Sequence, residues 1–86
     1  MRQFGPPAYP PPSVPPPKPA ISYLIDCVNN YTYIWPKYGM PFWFYPTRIE
    51  YGEVSGYIWN GRNWTFYGFD PALIEASACY PIPTLY

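Results

Sequence analysis

After residue 20 the chain alternates rings and β-branched residues with smaller or polar ones, at a period of two rather than 3.6. In Tyr31-Thr32-Tyr33-Ile34-Trp35 the three rings share one face, and Thr32 and Ile34 share the other. Phe42-Trp43-Phe44-Tyr45 reads as a short strand closed by Pro46, and Glu53-Val54 leads into the strongest local signal, residues 56–68. There two aromatic runs flank Asn60-Gly61, a pair suited to both corners of a type I′ turn, so a β-hairpin is predicted. With Trp59 opposite Arg62, the ladder pairs Tyr57 with Trp64 and Ser55 with Phe66 on one face. Ile58 with Asn63 and Val54 with Tyr67 then lie on the other. One face becomes a sheet of rings, with the Arg62 guanidinium at its tip over an indole.

The flanking segments extend this pattern. Residues 21–28 carry strand composition ahead of Asn29-Asn30, and Pro36-Lys37-Tyr38-Gly39 is a turn. Asp70 as cap and Pro71 at the first helical position start a helix of one or two turns near residues 71–77. The alternate prolines of Pro81-Ile82-Pro83-Thr84-Leu85-Tyr86 predict an extended end. Five short strands separated by turn signals specify an all-β fold: an antiparallel meander curled into an open barrel or SH3-like sheet, one end covered by the short helix.

Residues 1–20 differ in kind. They contain nine prolines, which fix φ and remove amide donors, so this segment is predicted to be a polyproline II arm attached to a β-domain of residues 21–86. Pro6-Pro7-Ala8-Tyr9 has the PPxY form and Pro12-Ser13-Val14-Pro15 the PxxP form, although the basic residue suited to the latter is out of register at Lys18. Three readings stand side by side: a solvated tail, an arm packing on rings of its own or a neighbouring copy, and a ligand for a separate adaptor domain.

Composition narrows the function classes. A body of 66 residues buries only about 60% of the surface its unfolded chain exposes, yet 18 of those residues are Phe, Tyr or Trp. The arm carries +2 (Arg2, Lys18) and the body −2, so the two attract weakly. Five scattered basic residues make no nucleic-acid patch. No apolar run reaches the roughly 20 residues of a membrane helix, and prolines follow Met1-Arg2 directly, so a soluble protein made without an export signal is expected.

Candidate chemistry is sparse. Without histidine the usual general base near neutrality and the Ser-His and Cys-His pairs are missing. Asp26, Glu50, Glu53, Asp70 and Glu75 read as caps and solvated faces, and the scattered glycines form no phosphate loop. No catalytic residue, metal or cofactor is expected. Cys27 and Cys79 bracket the meander and are candidates for a disulfide within the chain, for two buried thiols or for cross-links between copies. The remaining signal is the aromatic surface of Tyr33, Trp35, Trp43, Tyr57, Trp59 and Trp64. Such a surface suits either assembly or stacking on sugar rings.

The segments Tyr31-Thr32-Tyr33-Ile34-Trp35, Phe42-Trp43-Phe44-Tyr45-Pro46-Thr47 and Val54-Ser55-Gly56-Tyr57-Ile58-Trp59-Asn60, with a Pro-rich start and Cys79, resemble a group of very small proteins of endospore-forming bacteria. Some members are labelled "transporter", a label that this sequence, without a membrane span, gives no support. The resemblance implies a spore-related setting, with passage to the spore surface from a mother cell without an export signal. The expected function is therefore a non-enzymatic structural protein that self-assembles into a spore-surface or extracellular layer or filament. Its arm, through Pro6, Pro7, Tyr9, Pro11, Pro12, Pro15, Pro16 and Pro17, would lie on rings of a neighbouring copy. The alternative is a peptidoglycan- or carbohydrate-binding module with a Pro-rich linker, cytoplasmic if it is not exported.

Overall fold

The computed structural model describes residues 5–20 and 24–80. Strands β1 (Tyr31–Pro36), β2 (Phe42–Glu50), β3 (Glu53–Trp59), β4 (Trp64–Phe69) and β5 (Ile74–Tyr80) form one antiparallel sheet in the order β4-β3-β2-β1-β5. The first four make the expected meander. The chain then crosses back so that β5 pairs with the free side of β1, and the end strands β4 and β5 leave the barrel open.

The fifth strand is not where the sequence placed it. Leu24–Cys27 is a 3-10 turn rather than the end of a strand, and residues 21–23 lie outside the described region, as do residues 81–86. It is followed by Asn29 at φ 64, a left-handed conformation that asparagine tolerates. The expected helix is a single 3-10 turn, Pro71–Leu73, after which Ile74–Tyr80 is strand. Its start is as read: Asp70 Oδ1 accepts from the Ala72 amide at 2.9 Å, with Pro71 behind it. The stretch Glu75-Ala76-Ser77-Ala78 favours helix locally, but that preference is weak, and pairing with β1 overrides it. Ala76 lies opposite Trp35 and Ala78 opposite Tyr33, small residues beside large rings.

Proline does not end β2. The strand continues through a bulge between Pro46 and Arg48, where a missing amide donor is tolerated. The Pro46 carbonyl accepts instead from the Asn29 amide at 2.7 Å. Across the ladder stands Gly56, where a Cβ would lie 2.1 Å from the Tyr45 carbonyl oxygen. Only glycine lets the two backbones approach this closely, and the close approach bends the sheet.

The β3–β4 hairpin also differs in register. Trp59 faces Trp64 and Tyr57 faces Phe66, two residues along from the predicted pairs, because Asn60 lies outside the turn's corners. Its Oδ1 accepts from the Arg62 and Asn63 amides at 2.9 and 2.7 Å, and only Gly61 takes positive φ, at 94°. A shift of two preserves the side-chain period, so every ring stays on its predicted face.

Ile34, Phe44 and Val54, all 0% exposed, form the centre of the inner face, with Phe42, Ile58, Phe69 and Ile74 packed around them. Phe44 and Phe69 meet edge to face at 5.1 Å. Thr32 is also fully buried, its hydroxyl donating to the Asn30 carbonyl at 3.0 Å. Cys27 and Cys79 form a buried disulfide, with Cα atoms 5.6 Å apart, that ties the first 3-10 turn to β5.

Candidate functional site

The outer face holds what the inner face does not: Tyr31, Tyr33 and Trp35 from β1, Trp43 and Tyr45 from β2, Tyr57 and Trp59 from β3, and Trp64 and Phe66 from β4. Right-handed twist makes each face of such a sheet concave along one diagonal. On the inner face that diagonal carries Phe69 over Phe44 and Phe42. On the outer face it carries Trp64 towards β1: the Trp64 ring lies 6.3 Å from Tyr45 and 6.0 Å from Tyr31, and 5.1 Å from Trp59 beside it. A second cluster, Trp35, Tyr33 and Trp43, meets at 5.0 Å between successive rings. Tyr57 packs with Phe66 at 5.7 Å.

The proline arm lies in the first of these hollows. Pro6, Pro7, Ala8, Tyr9 and Pro10 line a cleft of about 430 Å³ together with Trp59, Arg62, Asn63 and Trp64. Trp64 Nε1 donates to the Tyr9 carbonyl at 3.0 Å, and the Tyr31 hydroxyl makes a longer contact, 3.4 Å, to the same oxygen. Tyr9 is left 73% exposed while its carbonyl is held, so the backbone is what the groove grips. Further along, Pro11 and Pro12 are half-buried and Pro16 is buried, whereas Pro15 and Pro17 face solvent. Lys18 Nζ reaches Glu75 Oε2 at 3.0 Å, the charge attraction anticipated between arm and body. Both partners are about half exposed, so this pair adds at most about 1 kcal/mol.

Of the rings singled out in the sequence, Trp59 and Trp64 meet the described arm in its first hollow, and Tyr33, Trp35 and Trp43 form the neighbouring cluster. Tyr31 and Tyr45 escaped notice as site residues. Their placement beside Trp64 depends on sheet twist, which strand periodicity does not reveal. Arg62 lines the cleft rather than standing opposite Trp59.

The titratable groups are scattered. Arg48 pairs with Glu50 at 3.3 Å on the surface, Glu75 with Lys18, and Asp70 caps its turn. A separate hollow of about 250 Å³ opens on the inner side, lined mostly by apolar side chains such as Ile34, Phe42, Phe69 and Ile74, with Tyr38 and Tyr67 at it as well.

Tyr31 is the group whose ionisation reports on the arm. Burial first, then the neighbouring Tyr45 and Tyr9, push its pKa above the ordinary tyrosine value. A group whose pKa is raised by folding contributes its full stabilisation below about pH 10 and loses it as pH climbs through the shifted pKa. Ionisation also replaces the hydroxyl donor with a negative oxygen facing the Tyr9 carbonyl. The ultraviolet difference titration between wild type and Tyr31→Phe is therefore expected to centre above pH 10, with Trp64 fluorescence changing in the same step. A difference centred at or below the ordinary value contradicts this reading.

Comparison with protein-family models, with curated proteins and with solved structures gives no match for this chain.

Proposed function

We propose that this is a non-enzymatic structural protein whose proline arm and aromatic groove are the two halves of an assembly joint, exchanged between copies in a layer or filament at a spore or extracellular surface. The observation that carries the reading is the grip of Trp64 and Tyr31 on the Tyr9 carbonyl. Contacts to a backbone oxygen and to proline rings are the same whichever copy supplies the arm. Exchange between copies therefore needs no new interface.

The magnitudes suit exchange. One hydrogen bond contributes about 0.5–1.5 kcal/mol, and the exposed Lys18–Glu75 pair adds little. Proline fixes φ, so the arm has few conformations to lose on docking, in cis or in trans. A tethered arm has an effective concentration of the order of millimolar, so crowding of copies at a surface favours the trans form. Outside the groove, Tyr38, Met40 and Tyr51, the last 97% exposed, remain for packing between copies. Glycan stacking on the Trp59–Trp64 platform would have to take place in the cleft that Pro6–Pro10 border in this structure.

Sedimentation velocity across a concentration series, with electron microscopy of the densest samples, tests the joint. Wild type is expected to form concentration-dependent oligomers, and Trp64→Phe, which keeps a ring but loses the donor, to need about tenfold higher concentration. Monomers throughout for both proteins would contradict arm exchange, and retention of those monomers on insoluble peptidoglycan would favour the glycan-binding alternative.

A further inference from the structure

We propose that the groove between Trp59 and Trp64 is a receptor for proline-rich segments of other proteins, and that the arm of this chain is its built-in competitor. The inference uses the same groove as the assembly joint but does not depend on self-association. It rests on what occupies the groove. Pro6-Pro7-Ala8-Tyr9-Pro10 contains Pro7-x-x-Pro10, a Pro-x-x-Pro core different from the Pro12–Pro15 one that stands out in the sequence.

The chemistry of the contact fits that core. A proline-rich segment has few amide donors and makes no internal hydrogen-bond ladder, so its carbonyls seek donors outside it. Pro7 and Pro10 both border the cleft that the two indoles border from the other side, and the chain bends at Ala8 and Tyr9 between them. The carbonyl between them that is gripped belongs to Tyr9, the residue preceding Pro10, and its donors are an indole N–H and a phenol O–H. Aromatic walls for proline rings, with side-chain donors for the intervening carbonyl, are how aromatic-lined grooves take Pro-x-x-Pro ligands. The Tyr9 ring itself is largely in solvent. The requirement read by the groove is thus a free carbonyl flanked by prolines, with wide choice at the position Tyr9 occupies. That tolerance admits foreign proline-rich segments as readily as a copy of this arm.

In the resting chain the arm borders the groove and its Tyr9 carbonyl occupies the Trp64 donor. A free peptide must compete with a segment tethered at an effective concentration of the order of millimolar, which lowers its apparent affinity accordingly.

The test is a titration of the full-length protein with a synthetic peptide of the sequence of residues 5–12, followed through the Trp64 indole N–H resonance. It is run on wild type and on the full-length Pro7→Gly, Pro10→Gly double variant, whose arm has lost the core but whose groove is intact. The double variant is expected to bind the peptide at least about tenfold more tightly than wild type. A peptide carrying Tyr9→Ala should bind within about twofold of the original, and one carrying Pro7→Gly and Pro10→Gly should not bind. Absence of peptide binding to the double variant, with its spectrum still dispersed, overturns the receptor even if wild type self-associates. Equal affinity of wild type and double variant overturns the role of the arm as competitor. Peptide binding by chains that stay monomeric supports the receptor and counts against arm exchange alone.

Discussion

Replacing both cysteines, Cys27→Ala with Cys79→Ala, or reducing their bond, is expected to lower the stability of the domain by about 4 kcal/mol. The bond joins residues 52 apart, so it closes a loop containing β1 to β4. Constraining a loop of that length in the unfolded chain gives about 4 kcal/mol on the chain-entropy model. The centre of the core is three fully buried side chains, Ile34, Phe44 and Val54, and small domains sit at the low end of the usual 5–15 kcal/mol. Such a loss therefore removes a large share of the total, and the midpoint of thermal unfolding should fall by roughly 15–30 °C. The bond also clips the turn at Leu24–Cys27 onto β5, next to Thr32 on β1. Its reduction should therefore loosen the closing strand before the hairpin of β3 and β4. Urea unfolding with and without reductant measures the effect, and a difference below about 1 kcal/mol would contradict this account.

Gly56→Ala is expected to cost about 3 kcal/mol or more. Its Cβ would stand 2.1 Å from the Tyr45 carbonyl oxygen and 2.8 Å from the Pro46 Cα. Both are backbone atoms of the neighbouring strand at its bulge, so nothing can swing aside. The strands must separate where β2 bends, and overpacking of a tight site costs about 1–3 kcal/mol before any change in the bend is counted. Gly68→Ala is the control. Its added methyl would meet chiefly the Glu53 carboxylate at 2.7 Å, the end of a flexible surface side chain, and the expected cost is within about 0.5 kcal/mol. Similar effects at the two sites, measured by urea unfolding, would show that backbone approach at Gly56 is not what shapes the sheet.

Much of this architecture is legible in the residues. The alternation of Tyr31 to Trp35, the rings of β2 and the hairpin faces all follow from period-two patterning, and a two-residue slip in the hairpin left those faces intact. The cap at Asp70 is also a local feature and is found as read. What escaped is non-local. β5 forms from residues with helix preference because β1 offers them a ladder, and Pro46 stays within its strand because a bulge removes the need for its amide. The joining of Trp64 to Tyr31 depends on twist accumulated over four strands. The arm was legible as a proline-rich segment apart from the sheet, but its bends at residues 8–9 and 13–14 and its docking point were not: the carbonyl of Tyr9 carries no side-chain signature.

The groove and its arm stand or fall on whether residues 6–10 lie against Trp59 and Trp64 in solution. Nuclear Overhauser spectra of the full-length protein, taken where it sediments as a monomer, measure this directly. The account predicts cross-peaks from Pro7 and Pro10 to the two indole rings, and a Trp64 Nε1–H that exchanges slowly with solvent. Random-coil shifts for the arm and a freely exchanging Trp64 N–H, with the Trp59–Trp64 cross-peaks still present, would contradict it.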